Sequence, residues 1–359
     1  MAPLHAAASA LLALGAWTGC AGRSAVATVG PPAHATFNEI FHEVARIPLE
    51  EPDTVRISGI EGLVTFPDAR LAMIDEQARE VRIYAPDGAL LRVLGHRGSG
   101  AAEFESPADL AVAPDGRLYV VDAGRDRVFR WDEELAFDTV FAIRAAIEID
   151  PLGGRLAVGL SDQAPAGDEY VVYSADGERV LGFHPTSPLE RTPYWSAMFR
   201  NHLAVGREAL FVANSMTYPI YRYTLEGEAV DSLGAPPPSY TAPSRPELGQ
   251  FTAPGSAMTY MAWRHSFTTV HRIALYRDSL LLVEHRWLDP EEVFQDKVKW
   301  YRLDIYDVHG GGARKLYEDI PLPGLLLHAD SAVYVLLDKR HFHWTIGRYR
   351  FAAAERPHS

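Results

Sequence analysis

Apolar residues in this chain come in short runs or alternate with polar ones, and clusters of Pro, Asp and Gly interrupt them every few positions. That pattern predicts strands and tight turns rather than helices. Two stretches show it most clearly, IEGLVTFPDARLAMIDEQAREVRIYAPDG and PADLAVAPDGRLYVVDAGRDRVFRWDEEL. Asp68 aligns with Asp115, Leu71 with Leu118, Asp75 with Asp122, Val81 with Val128 and Tyr84 with Trp131, each at an offset of 47. The aromatic marker recurs at Tyr84, Trp131, Tyr173, Tyr223, Tyr306 and Tyr349, at intervals of 42–50 residues with one gap of 83. A period in this range means an array of small sheets.

Each copy reads as a four-stranded antiparallel meander, here A to D from the inside out. Pro114-Asp115-Gly116 supplies an A–B turn, and Asp87-Gly88, Asp176-Gly177, Glu226-Gly227 and His309-Gly310 follow the aromatic marker as C–D turns. Acidic-Gly pairs between alternating runs are hairpin signals, because Gly accepts the positive φ such turns need. The predicted fold is all-β, a six-bladed β-propeller. Blade 6 runs out of chain after its third strand, whereas the alternating segment 41–49 has no blade of its own. We therefore expect that N-terminal strand to close the last blade and remove an open sheet edge.

Leu94-Gly95-His96-Arg97-Gly98-Ser99-Gly100, then Glu103-Phe104 and Pro107, then residues 116–122, GRLYVVD, resemble the NHL repeat. The resemblance covers residues 58–135 strongly and the remainder through spacing and turns. The whole is similar to bacterial six-bladed NHL-type propellers, many of them lipoproteins. That family holds binders and enzymes alike, so the resemblance implies fold more than function.

The N-terminal region changes the picture of where the protein works. Residues 6–17, AAASALLALGAW, are too short to span a bilayer and look like a signal-peptide core. Trp17-Thr18-Gly19-Cys20 resembles a lipobox, which makes Cys20, the sole cysteine, the expected lipidation site. The expected organisation is a signal peptide over 1–20, a flexible tether over 21–36 and one propeller domain over 37–359. Cleavage after Ala25-Val26-Ala27, giving a periplasmic or secreted protein, is the alternative. The net charge of −13, with no basic run, argues against nucleic acid as a partner.

Long segments fall in the D–A and B–C connections, which share one face of the ring: 183–199, 234–268, 286–297 and 339–343. Loops on a rigid scaffold are common carriers of function. Tyr194, Trp195 and Arg200 in one insertion, and Tyr260, Trp263, Arg264 and His265 in another, are the candidate ligand-binding residues, because recognition surfaces enrich aromatics and Arg. The same residues could also pack the loops onto the ring. Alignment of the inner strands places Asp109, Asn201 and His271 at one level of the central channel, with Gly62 and Ile147 at that level in blades 1 and 3. Glu61, Arg144 and Arg200 lie near the same mouth. Asp109, Asn201 and His271 could hold a divalent metal or line a water-filled channel. His341 and His343 form an alternating pair that could share a strand face. Asp75, Asp122, Asn214, Glu284 and Asp338 align at the end of strand B and are expected to cap turns.

Two functional readings stay open. The first is a lipid-anchored binding protein presenting an aromatic face to a peptide, glycan or protein partner, with no cofactor; the lack of a recognisable nucleophile–base pair motivates it. The second is a metal-dependent propeller enzyme with its site at the channel mouth. The resemblance implies it through lactonases of the gluconolactonase type and the zinc-dependent lyase of peptide amidation.

Overall fold

The computed structural model describes residues 35–52, 56–161, 167–185, 200–244, 257–292, 297–340 and 343–352. A single helical turn, α1 (Phe37–Ile40), leads into β1 (Phe41–Pro48). Blade 1 follows as β2 (Ile60–Thr65), β3 (Leu71–Asp75), β4 (Glu80–Tyr84) and β5 (Leu90–Leu94). Blade 2 is β6 (Pro107–Val112), β7 (Leu118–Asp122), β8 (Arg127–Trp131) and β9 (Phe137–Ala142). Blade 3 is β10 (Ala146–Leu152), β11 (Arg155–Leu160), β12 (Asp168–Ser174) and β13 (Arg179–Pro185). Blade 4 is β14 (Asn201–Val205), β15 (Leu210–Asn214), β16 (Thr217–Tyr223) and β17 (Ala229–Leu233). Helix α2 (Ala257–Arg264) precedes blade 5, which is β18 (Thr268–Tyr276), β19 (Leu280–Leu288), β20 (Val298–Asp307) and β21 (Arg314–Pro321). Blade 6 takes β22 (Leu325–Ala329), β23 (Val333–Arg340) and β24 (His343–Phe351), with β1 as its outermost strand.

The ring therefore closes as expected, by antiparallel pairing of β1 with β24 from Phe41↔Phe351 to Pro48↔Thr345. Phe41 stacks on Phe37 at 4.8 Å between centroids and meets Phe351 edge-on at 5.5 Å. The seam continues into blade 1, where Glu50 N–H donates to the Gly88 carbonyl at 2.9 Å. Gly88 has φ +96°, and a Cβ there would lie 2.0 Å from the Pro48 carbonyl oxygen, so only glycine suits the site.

Burial decides strand identity across each blade. The second strands β3, β7 and β15 are buried at every position, whereas β17 exposes four of its five residues. An inner strand packs on both faces against neighbouring blades and becomes a continuous apolar run; an outer strand faces water and can be polar. The apolar core accordingly consists of clusters wedged between blades. One joins blades 5 and 6 with α1, others join 6 to 1, 1 to 2, 2 to 3, 3 to 4 and 4 to 5. Tyr84, Trp131, Tyr306 and Tyr349 of the periodic marker are all at most 2% exposed within them.

The strand-B polar residues are structural. Asp75 accepts from the Ser58 and Gly59 amides and from the Ser58 hydroxyl, and Asp122 accepts from the Glu105 and Ser106 amides. Asn214 accepts from Met216 N–H, the following turn, but Glu284 reaches instead to Leu326 N–H of the next blade. The side chain of Asp338 lies outside the described residues.

Candidate functional site

The inner strands carry β-bulges, and these decide which side chains face the channel. In β6, Pro107 pairs with Asp122 and Asp109 with Val121, so Ala108 is the extra residue. In β10 the extra residue is Ile147, and in β18 it is His271; among the pairings of β14 there is none. A bulge inserts one residue and re-aims those beyond it. The level of Asp109 is therefore shared by Glu148, His202 and Arg272, not by Ile147, Asn201 and His271. This corrects the expected cluster of Asp109, Asn201 and His271. Asn201 donates its amide to the Leu160 carbonyl at 2.8 Å and is 5% exposed. His271 is hydrogen-bonded through Nδ1 to Glu284 at 2.9 Å, and Asp109 accepts Ile149 N–H at 2.8 Å. The three face three different partners. Among the described residues no group of three or more His, Cys, Asp or Glu side chains is arranged to hold a metal ion.

The belt that does form is strongly perturbed. Burial pushes Asp109 up to about 7, with the Glu148 charge adding to the effect and Arg272 opposing it. Burial pushes Glu148 up to about 8 against the pull of Arg272. His202, 3.8 Å from Glu148, is pushed down to about 3 by burial, and then by Arg272 and Arg200. Asp150, one layer further along, accepts Val205 N–H at 2.8 Å and is pushed up to about 8 by burial. Asp109 and Asp150 thus each latch one inner strand to the next blade's inner strand. Below this belt a funnel of about 880 Å3 opens between the A–B turns, from Phe66 and Pro114 to Arg277 and Asp330. It opens on the face opposite the long connections.

At the other mouth, blades 1 and 4 stand across the ring from each other. Arg200 reaches over to Glu61, Nη1 to Oε1 at 2.6 Å, and Arg272 donates to the Glu61 carbonyl at 3.1 Å. These contacts bar the channel. Arg200 remains 63% exposed as a side chain. Arg286 sits opposite Tyr301 on β19 and β20, two residues beyond Glu284. Burial lowers its pKa, Tyr301 opposes that, and Arg200 and Arg264 add to the lowering by charge repulsion. Arg144 is exposed at the start of blade 3.

The loop residues divide. Tyr194 and Trp195 lie outside the described residues. Trp263 is 6% exposed and donates its indole N–H to the Ser244 carbonyl; His265 is fully buried and bonds the Asp289 carbonyl at 2.7 Å. Both fit the packing alternative: Trp263 ties α2 to the connection before it, and His265, just past α2, ties it to the segment after β19. Tyr260 and Arg264 of the same helix are partly exposed. Blade 5 rises beyond the ring: β19 runs to Leu288 and β20 starts at Val298, so residues 286–288, expected in a loop, are strand. Trp287 and Trp300 pair across these arms at 5.9 Å, with Lys299 and Arg302 over their rings. In blade 6, β23 and β24 likewise leave only residues 341–342 between them, so His341 and the His343 side chain are outside the described residues. Glu148, His202, Arg272 and Arg286 were missed by sequence reasoning. A bulge leaves no period of its own, and Arg286 read as loop.

Residues 21–140 match the DUF5128 family model, described as a 6-bladed beta-propeller. No curated protein gives a significant match. Among solved structures, a Bacteroides fragilis protein named as exported is similar at TM-score 0.60 and 12% identity, covering 89% of this chain and 98% of its own. A DUF4221 family member from Bacteroides vulgatus follows at TM-score 0.57 and 7% identity, covering 87% and 98%. A Bacteroides thetaiotaomicron protein of unknown function gives TM-score 0.52 and 9% identity, covering 87% and 76%. At such identities the likeness speaks for fold alone. Together with the six sheets, it establishes that this chain is a six-bladed β-propeller whose N-terminal strand completes its last blade.

Proposed function

We propose that the chain is an exported binding propeller, lipid-anchored at Cys20, that engages a peptide, glycan or protein partner on the face of its D–A and B–C connections. One observation carries the reading: blade 5 outgrows the ring on that face only. Its first three strands have nine, nine and ten residues, against six, five and five in blade 1. The raised arms present the Trp287–Trp300 pair beside α2, where Met258 is 47% exposed and Tyr260 is partly so. Rigid aromatics near Arg and Lys suit a recognition surface. Trp263 and His265 hold that surface in place, and Tyr194, Trp195 and Arg200 belong to the neighbouring insertion. The test is cross-linked capture from cell-envelope fractions with wild type, Trp300→Ala and the opposite-face variant Arg207→Gln. Capture lost in Trp300→Ala and kept in Arg207→Gln is the expected result; equal capture by all three overturns it.

A second reading, hydrolytic or lyase chemistry in the channel, is favoured by Asp109 and Glu148. Both are acids that keep protons near neutrality beside an open funnel, as general acids must. Turnover of a lactone or peptide substrate that Glu148→Gln abolishes would displace the binding reading.

A further inference from the structure

The loop-face mouth of the channel concentrates positive charge in a protein whose net charge is −13. Three guanidiniums, of Arg200, Arg272 and Arg286, converge there. Backbone bonds fix their proximity. Ser215 N–H donates to the Arg200 carbonyl, Val270 N–H donates to the Ser215 carbonyl, and Thr269, next along β18, pairs with Arg286. Arg272 and Arg200 meet at Glu61, which accepts from Arg200 through its carboxylate and from Arg272 through its backbone carbonyl. Arg286 makes no side-chain hydrogen bond or ion pair among the described residues, and its Nε is shut off from solvent without a partner. The Nε of Arg272 is in the same condition. An enclosed N–H without an acceptor carries an uncompensated desolvation cost, larger for a charged group, so a ligand oxygen placed there removes a standing penalty. The nearest acid on the same strand face, Glu284, already serves His271 and Leu326 N–H. Burial also holds it up to about 8, so it offers Arg286 little counter-charge near neutrality. Tyr301 stands directly across from Arg286 and adds a flat, hydroxyl-bearing wall.

We propose that this mouth is an oxyanion-binding site in which Arg286 and Arg200 grip a carboxylate or phosphate group carried by the ligand. A planar guanidinium fork matches two oxygens of such a group at once, which a lysine cannot do. Arg272, lodged below, closes the channel and supplies the floor of positive charge. The inference deepens the binding reading, since it names the chemistry that the partner presents to this face.

The test is equilibrium binding of citrate and of inorganic phosphate to the mature protein at constant ionic strength, by calorimetry, with Arg286→Gln, Arg200→Gln and Arg207→Gln in parallel. Arg207 projects from the opposite face with 86% of its side chain exposed, and pairs with Asp278 there. Saturable binding of at least one anion is expected, weakened about tenfold or more by Arg286→Gln and untouched by Arg207→Gln. Preference for citrate identifies a carboxylate ligand, and preference for phosphate a phosphorylated one. Arg200→Gln, at an exposed position, keeps the test decisive if Arg286→Gln does not fold. Absence of saturable binding, or wild-type affinity in both mouth variants, overturns the site. Partner capture that persists in that case leaves the binding reading standing, whereas anion binding without any partner capture fails the reading and keeps the site.

Discussion

Replacing Phe41 with Ala asks whether the N-terminal strand holds the ring or merely lies against it. Phe41 is 1% exposed and sits in the cluster that joins α1, blade 5 and blade 6. Its ring stacks on Phe37 at 4.8 Å and meets Phe351 at 5.5 Å, and filling the space would require α1 or β24 to move. Loss of the transferred area plus the cavity left behind gives about 3–5 kcal/mol for such a truncation. Val44, on the same strand, is 41% exposed, and Val44→Ala should stay within about 0.5 kcal/mol of wild type. Guanidinium unfolding followed by tryptophan emission reports on several blades at once, through Trp131 in blade 2, Trp287 and Trp300 in blade 5 and Trp344 on β24 at the seam. At ordinary guanidinium slopes the Phe41→Ala midpoint should fall by on the order of 1 M, as one cooperative transition. A small early step with an unchanged main midpoint, or equal midpoints for the two variants, would refute the idea that β1 is the clasp.

Two further outcomes follow from the channel and the seam. Glu148 keeps its proton to about 8 in the folded ring, while an unfolded glutamate releases it near 4.5. Between those values the unfolded chain binds fewer protons, so this group lowers stability as pH rises, by at most about 1.4 kcal/mol per pH unit. Glu148→Gln should therefore gain on wild type from roughly pH 5 to pH 8 and level off above that; denaturant titrations that run parallel across the window would count against the belt. Gly88→Ala should cost about 2–5 kcal/mol, combining left-handed backbone strain with the clash at the Pro48 carbonyl, read as a drop in thermal midpoint.

The architecture was legible because its signals are repeated. The aromatic marker recurs once per blade, a turn glycine follows it in four of the six, and the orphan segment before blade 1 matched a missing strand after blade 6. The channel was less so, for a physical reason. Asp109 lines the channel, but the bulges at Ile147 and His271 moved Glu148 and Arg272 into the positions that uniform spacing had assigned to their neighbours. Blade 4 lacks the bulge and so presents His202. A bulge depends on packing against adjacent blades, which a one-dimensional pattern does not carry. Trp263 and His265 illustrate a second gap. Aromatic and polar residues in an insertion look alike whether they greet a ligand or fasten a helix, and only burial separates the two. Arg286 was hidden by the length of blade 5, whose arms, like those of blade 6, extend past the point where blades 1 and 2 end.

The clasp also sets the order in which the protein can be made. Glu43 and Tyr349, which share a hydrogen bond across the seam, are 306 residues apart. The first strand to emerge during synthesis must wait for the last one before it finds a partner. Until then the nascent chain carries an unpaired strand at its leading end and an open sheet behind it, the kind of edge that invites pairing with another molecule. Non-local pairing of this sort is slow, so the interval is long on the scale of local folding. A truncated chain lacking β24 would never end it, and should accumulate as aggregate rather than as a five-bladed monomer.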